Sequence, residues 1–315
     1  MFRAAHAHPH RPSEPIDHPV DHPVAHPIDH HDLVLQPRDV TFDWSATPLH
    51  WLPGEPFAAH TFDVLHLMLP ELERWFVRTF EQALPLITDD RLREDVRGFI
   101  GQEAMHAEAH QEVLEHLLAK GLDPAPYTRQ SEWIFRRVLG DRPELTPAAT
   151  HAHLLQRLAL IAAFEHFTAY MGHWILSNEH LDQADADPAM LDLFRWHGAE
   201  EVEHRSVAFD LLVHLDPRYR RRVGGMLVTA PVLIRLWIRG VRFLMSADPE
   251  LDDRVRVRFR DYLAAARKDL LPPPVSFTRS VLRYFSPGYH PTQEGSTQQA
   301  VAYLAASPAA RAAAR

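Results

Sequence analysis

At 315 residues the chain is long enough to bury a sizeable core, as one large domain or as a domain with appendages. A net charge of −9 with no long basic run argues against a nucleic-acid partner. The lack of cysteine excludes disulfides, thiolate metal sites, iron–sulfur clusters and cysteine nucleophiles, and it fits a reducing cytoplasm.

Residues 1–36 read as a disordered His/Pro-rich tail. Asp17-His18-Pro19-Val20, Asp21-His22-Pro23-Val24 and Ala25-His26-Pro27-Ile28 form a tetrad repeat whose prolines block helix and remove ladder donors. Eight of the 23 histidines lie in the first 31 residues, so the total overstates the site chemistry. No basic-then-apolar leader opens the chain, and no run of about 20 apolar residues reads as a membrane span. A helical domain is expected over 37–290, and a C-terminal helix with a frayed Ala/Arg end over 291–315.

Phe42, Trp44, Trp51 and Phe57 are expected to pack an irregular entry segment against a bundle. A first helix covers about 59–84 and stops near Pro85. A second runs from the Asp89-Asp90 cap to Gly121, and a shorter one covers about 129–140. A third long helix runs from Pro147 to about His180. A fourth spans Pro188 to Leu215 and is ended by Pro217. Residues 219–246 read as an apolar helix kinked at Pro231, and 249–270 as a charged amphipathic helix stopped by Pro272-Pro273-Pro274. Strand patterns are absent, so the fold class is all-α.

Two copies of Glu-x-x-His stand out: Glu103-Ala104-Met105-His106 and Glu201-Val202-Glu203-His204. Residues i and i+3 share a helix face, so each pair points one way. Each copy follows a helix with a lone glutamate in an apolar stripe. Glu73 lies with Leu69, Phe76 and Phe80, and Glu165 lies with Leu158, Ile161 and Ala162. A carboxylate facing a core costs several kcal/mol unless paired or metal-bound. Four converging carboxylates call for cations, and a carboxylate/imidazole set suits iron or manganese. The order Glu, ExxH, Glu, ExxH is that of ferritin-like dinuclear bundles. One ExxH is a weak signal, but two copies on separate long helices rarely arise by accident. His197 shares a face with Glu201 and His204 and ranks above His110 as an additional ligand. Hydrogen bonding behind the ligands is the competing role for both. Glu71, Glu81, Glu108, Glu112, Glu115 and Glu203 read as solvated faces or caps. Glu200 rivals Glu201 but breaks the spacing to His204. His166 and His173 read as satisfied, partly buried histidines. No H-E-x-x-H, G-x-S-x-G or P-loop is present.

From about Pro37 to beyond Pro291 the chain resembles the bacterial family known as "predicted metal-dependent hydrolase", a ferritin-like group. The resemblance is carried by Asp39-Val40-Thr41-Phe42-Asp43-Trp44, Pro48-Leu49-His50-Trp51, Leu72-Glu73-Arg74-Trp75-Phe76 and Phe99-Ile100-Gly101-Gln102-Glu103-Ala104-Met105-His106. Two later segments, Phe164-Glu165-His166-Phe167-Thr168 and Trp196-His197-Gly198-Ala199-Glu200-Glu201-Val202-Glu203-His204, complete it. Leu72 departs from the glycine expected before the first glutamate. The H-x3-E-x2-H arrangement is also similar to that of p-aminobenzoate N-oxygenases, dinuclear iron enzymes with one extra histidine ligand. That resemblance implies Glu73, Glu103, His106, Glu165, His197, Glu201 and His204 as ligands of two metal ions, iron first, manganese or zinc as alternatives.

The expected function is O2-dependent oxidation of an organic, small-molecule substrate, with an external electron donor. The alternative is a metal-dependent hydrolase using the same site, and a non-enzymatic reading is iron storage or a metal-stabilised bundle. The apolar stretch 224–246, with Arg235, Arg239 and Arg242 on one face, has two readings. One is a lid or peripheral membrane contact for a lipid-like substrate. The preferred one is a core helix with a basic outer stripe. A cytoplasmic protein, membrane-associated if the first holds, is expected; a homodimer is compatible with the sequence.

Overall fold

A computed structural model describes residues 33–252 and 256–314. The tetrad repeat of the tail lies outside them. The described residues form helices and connecting segments with no strand, an all-α bundle. Four helices build the centre of the bundle: α1 (Pro56–Ala83), α2 (Asp90–Ala119), α4 (Pro147–Leu176) and α6 (Pro188–His204). Between α2 and α4 lie α3 (Ala125–Glu132) and one π-helical turn, Trp133–Val138. The short α5 (His180–Gln183) precedes α6.

Each of these four helices has a defined start. Asp89 accepts a bond from the Leu92 amide, Thr146 from Ala149, and Asp187 from Ala189 and Met190. These side chains satisfy amides that the first helical turn leaves unpaired. Pro56, Pro147 and Pro188 supply the fixed φ suited to a first turn. α1 packs on α2 and α4 on α6, while α7 (Val207–Leu215) touches α2 and α4. α8 (Tyr219–Ala247) lies across α1 and α4. α4 is buried along most of its length, as expected for a helix apolar on all sides. Between α4 and α6 the backbones meet at two glycines. A Cβ on Gly172 would lie 2.4 Å from the Gly198 carbonyl oxygen.

Several expectations need correction. The fourth helix is broken at Arg205–Ser206 into α6 and α7. The charged helix is α9 (Phe259–Arg267) only, shorter than the expected 249–270. The triple proline does more than stop a helix, because Pro274 opens α10 (Pro274–Tyr284), which the sequence reading missed. α11 (Thr297–Ala306) and α12 (Pro308–Ala313) pack on α6. Trp51 is fully buried, and Phe42, Trp44 and Phe57 lean on the core as expected. α8 is not a core helix with a merely basic exterior. It buries Met226, Leu233, Leu236 and Leu244 but leaves Leu227, Val228, Val232, Ile234 and Ile238 exposed among its arginines. No described helix is long and apolar enough to cross a membrane.

Candidate metal centre

Glu73 from α1, Glu103 and His106 from α2, Glu165 from α4, and His197, Glu201 and His204 from α6 meet in the middle of the bundle. All seven are buried. Their donor atoms fall into overlapping groups, each within 4.8 Å. Glu103, Glu165, Glu201 and His204 form one; Glu73, Glu103 and His106 form another; His106, His197 and Glu201 form a third. Glu103 and Glu201 therefore face both halves of the cluster. Nε2 of His204 lies 3.3 Å from an oxygen of each of Glu103, Glu165 and Glu201. Nδ1 of His106 lies 3.5 Å from Glu201 and 3.9 Å from Glu103.

Whether such residues suit metal ions can be tested on their bonding. Both carboxylate oxygens of Glu73, Glu103 and Glu165, together with Nδ1 of His106, are buried without a hydrogen-bond partner. Seven orphaned donors converging on one space would be very costly, since buried polar groups are otherwise paired. Burial, reinforced by neighbouring carboxylates, holds the carboxyls of Glu73 and Glu103 well above the usual range and that of Glu165 up at about 7. Burial also opposes charge on Glu201, but the His204 imidazolium and bonds from His197 and His204 hold that carboxyl low. Divalent cations would satisfy the orphaned donors and neutralise the crowding, so the residues fit a metal centre.

The imidazoles are oriented from behind. Nε2–H of His106 donates to Glu200 at 2.9 Å, leaving Nδ1 toward the carboxylates. Nδ1–H of His204 donates to the Gln102 carbonyl oxygen at 3.1 Å, leaving Nε2 toward them. Arg38 ties the two supports together. It donates to Glu200 at 2.7 Å and to Glu203 at 2.9 Å, and Glu203 accepts from the Gln102 amide at 3.2 Å. Trp196 adds a bond to Glu200 at 3.1 Å. This clamp is the carboxylate–histidine support that metal sites commonly carry.

A second line of imidazoles leads away from His197, whose Nε2 faces Glu201 at 2.8 Å and Glu73 at 3.8 Å. Nδ1 of His197 meets Nε2 of His110 at 2.5 Å, and Nδ1 of His110 meets Nδ1 of His66 at 2.7 Å. Two tautomer sets satisfy both bonds: Nδ1–H of His197 and of His110 donating outward, or Nδ1–H of His66 and Nε2–H of His110 donating inward, the second leaving Nε2–H of His197 to donate to Glu201. Beyond His66, Asp63 accepts from Trp51 at 2.9 Å and from His60 at 3.0 Å. Nε2 of His60 and of the half-buried His50 both donate to Asp248, at 2.7 and 2.6 Å.

His110, ranked below His197 as an additional ligand, bonds to Nδ1 of His197 and also offers a donor atom within 4.8 Å of ones from Glu73 and His197. Glu200, the rival of Glu201, bonds to His106, and Glu203 is part of the clamp rather than a solvated face. Glu71 is buried between Arg78 and Arg136 rather than solvated. His166 is the satisfied buried histidine expected, bonded to Tyr289 and Ser280. Arg38, Gln102, His66, Asp63, His60 and Asp248 were missed. The one sequence signal for them was that Arg38 and Gln102 lie beside and in the segments that carried the family resemblance.

The family described as "predicted metal-dependent hydrolase" matches residues 36–295, and the chain belongs to it. No curated protein and no solved structure matches the chain.

Proposed function

We propose, starting from that family membership, that the chain is an enzyme whose buried carboxylate/histidine cluster holds two divalent metal ions and that it hydrolyses a small organic substrate. The single observation that carries the reading is the convergence of seven unpartnered donors from Glu73, Glu103, Glu165 and His106. Glu73, Glu103 and His106 would hold one ion, and Glu165, Glu201 and His204 the other. Glu103 and Glu201 face both positions, and His197 adds a third imidazole. A bound pair supplies Lewis acidity for hydrolysis or, as iron, electrons for oxidation. The chain's own groups do the rest. Glu200 and Gln102 fix which nitrogen His106 and His204 present. His110 bonds to Nδ1 of His197 and so holds its Nε2 toward Glu201 and Glu73.

Oxidation of an organic substrate with O2, iron and an external reductant is the second reading. It is supported by the cavity of about 40 Å³ beside His197 and Glu201. Its remaining wall, including Phe62, Leu65, Met171 and Phe194, offers no acid or base to a hydrolytic step.

The test is metal content and reactivity on one preparation. The stripped chain is reloaded anaerobically with ferrous iron, and separately with manganese or zinc. About two ions per chain, with cleavage of simple esters or phosphoesters, supports hydrolysis. The same stoichiometry with O2 uptake by the ferrous form alone moves the assignment to oxidation. Replacing both Glu103 and Glu201 by alanine is expected to abolish binding of the pair, and full retention of metal would overturn the ligand assignment.

A further inference from the structure

A cavity of about 410 Å³ opens between α1, α4, α8, α9 and α10. That volume is within the range of small-molecule sites. Phe62 and Met171 stand in its wall and also in the wall of the 40 Å³ cavity that touches His197 and Glu201. The two spaces therefore adjoin at Phe62 and Met171. Together they lead from the face of α8 to the metal centre.

The larger wall offers a polar ligand almost nothing. Each neutral polar side chain in it already donates to a backbone carbonyl: Thr61 to Phe57 at 2.6 Å, Trp237 to Thr61 at 2.9 Å, Tyr262 to Pro272 at 2.7 Å and Thr278 to Pro274 at 2.9 Å. Two guanidinium groups break the pattern. Arg242 and Arg258 line the same cavity, are exposed, and carry no ion pair or side-chain hydrogen bond among the described residues. Among the described residues, no acidic one lines the cavity. Ile234, Ile238 and Phe259, which line it too, are 45%, 45% and 67% exposed. Apolar side chains that exposed, beside unpaired cations, mark a surface made for an apolar body with an anionic end.

We propose that the two cavities form one binding site for a long-chain amphiphile with an anionic head, a carboxylate or a phosphate. The head pairs with Arg242 and Arg258, and the chain runs inward past Phe62 and Met171 toward His197 and Glu201. What is done to the chain rests on the metal centre proposed above; binding of the amphiphile does not. A molecule seated this way presents an internal ester to a hydrolytic centre, or one of its own carbons to an oxidative one.

The experiment is a fluorescence titration of the full chain, metal-free and metal-loaded, with a naturally fluorescent 18-carbon polyenoic fatty acid. Energy transfer from Trp237 reports its arrival. One saturable site per chain is expected in both forms. Met171→Trp should weaken the 18-carbon acid about tenfold and leave an eight-carbon acid unchanged. Arg242→Glu with Arg258→Glu should weaken the acid by a similar factor, yet leave the fatty alcohol of equal length unchanged. Competition by an alkyl phosphate of that length tells which head is preferred. Circular dichroism and melting of each variant show that it is folded. Non-saturable uptake of many probe molecules, or equal affinity in wild type and both variants, would overturn the site. Binding by a chain that holds no stoichiometric metal would keep the site and sink the metal reading instead.

Discussion

Arg38 to methionine is the most informative single change at the centre, because one side chain supports both histidines of the Glu-x-x-His pairs. The segment that carries it is laid on α2 by close contact. A Cβ on Gly98 would lie 2.5 Å from the Leu35 side chain and one on Gly101 3.0 Å from Pro37. Glu200 is fully buried and Glu203 nearly so, while Arg38 is 26% exposed. Breaking a buried pair by removing one partner costs about 3–5 kcal/mol, and partial access of water to the Arg38 side lowers this to about 2–3 kcal/mol. Burial already pushes the Glu200 carboxyl up to about 7 against the pull of Arg38. Without the guanidinium it rises further and takes up a proton at neutral pH, so His106 loses the anion behind it. His204 loses the fixed Gln102 at the same time. Loss of such supports costs about 10–100-fold in metal affinity, and two together place the expectation near the top of that range. Arg38→Lys should fall between, since an ammonium lacks the planar fork that reaches two carboxylates at once. Chelator competition with zinc measures the affinity, and urea denaturation measures the stability. A methionine variant that binds zinc within about threefold of wild type (about 0.7 kcal/mol) and unfolds at the same urea concentration would refute the clamp.

The His60 cluster predicts an alkaline loss of stability. Burial works against the His60 imidazolium, but bonds to Asp248 and Asp63 outweigh it and hold its pKa at about 9. Burial also raises the Asp63 carboxyl, whereas bonds from His60 and His50 keep Asp248 depressed at about 2, so Asp248 is the anion of the trio. The imidazolium's contribution is complete below its ordinary value of about 6.5 and is lost as pH rises through about 9, at most about 3 kcal/mol. Urea midpoints across that window should fall in wild type and fall less steeply in His60→Gln, where the His204 imidazolium, held up at about 10, supplies the remaining slope; parallel curves would count against it. Gly172→Ala drives a methyl into the Gly198 carbonyl and should destabilise by about 3 kcal/mol. It should also disturb metal stoichiometry, because the two helices forced apart carry Glu165 and Glu201. Gly224→Ala, with open space around it, should leave thermal stability within about 0.5 kcal/mol of wild type, and a loss as large as that of Gly172→Ala would refute the packing argument. Stoichiometric zinc at a thousandfold excess over its Kd should stabilise the wild-type chain by about 4 kcal/mol, read from the same urea curves, whereas no shift would mean that the folded centre does not bind it.

The all-α class and the long helices carrying the four glutamates are written locally. A cap, a proline at the first turn and an apolar stripe act within a few residues, and so does the i,i+3 spacing that sets Glu103 beside His106 and Glu201 beside His204. Where local signals conflicted, the structure chose. The break at Arg205–Ser206 and the opening of α10 at Pro274 follow from packing that no short window contains. The support of the centre is of another kind. Arg38 reaches Glu200 across 162 positions, and His60 reaches Asp248 across 188. Such pairs leave no periodic trace, because each partner alone looks like an ordinary charged residue on a helix or loop. The apolar cavity and its two unpaired arginines are equally silent in the chain, since an emptiness exists only between elements that have already packed. Sequence alone therefore marks which side chains are candidates to bind a metal. Tertiary structure decides which nitrogen they turn toward it and what kind of molecule can reach them.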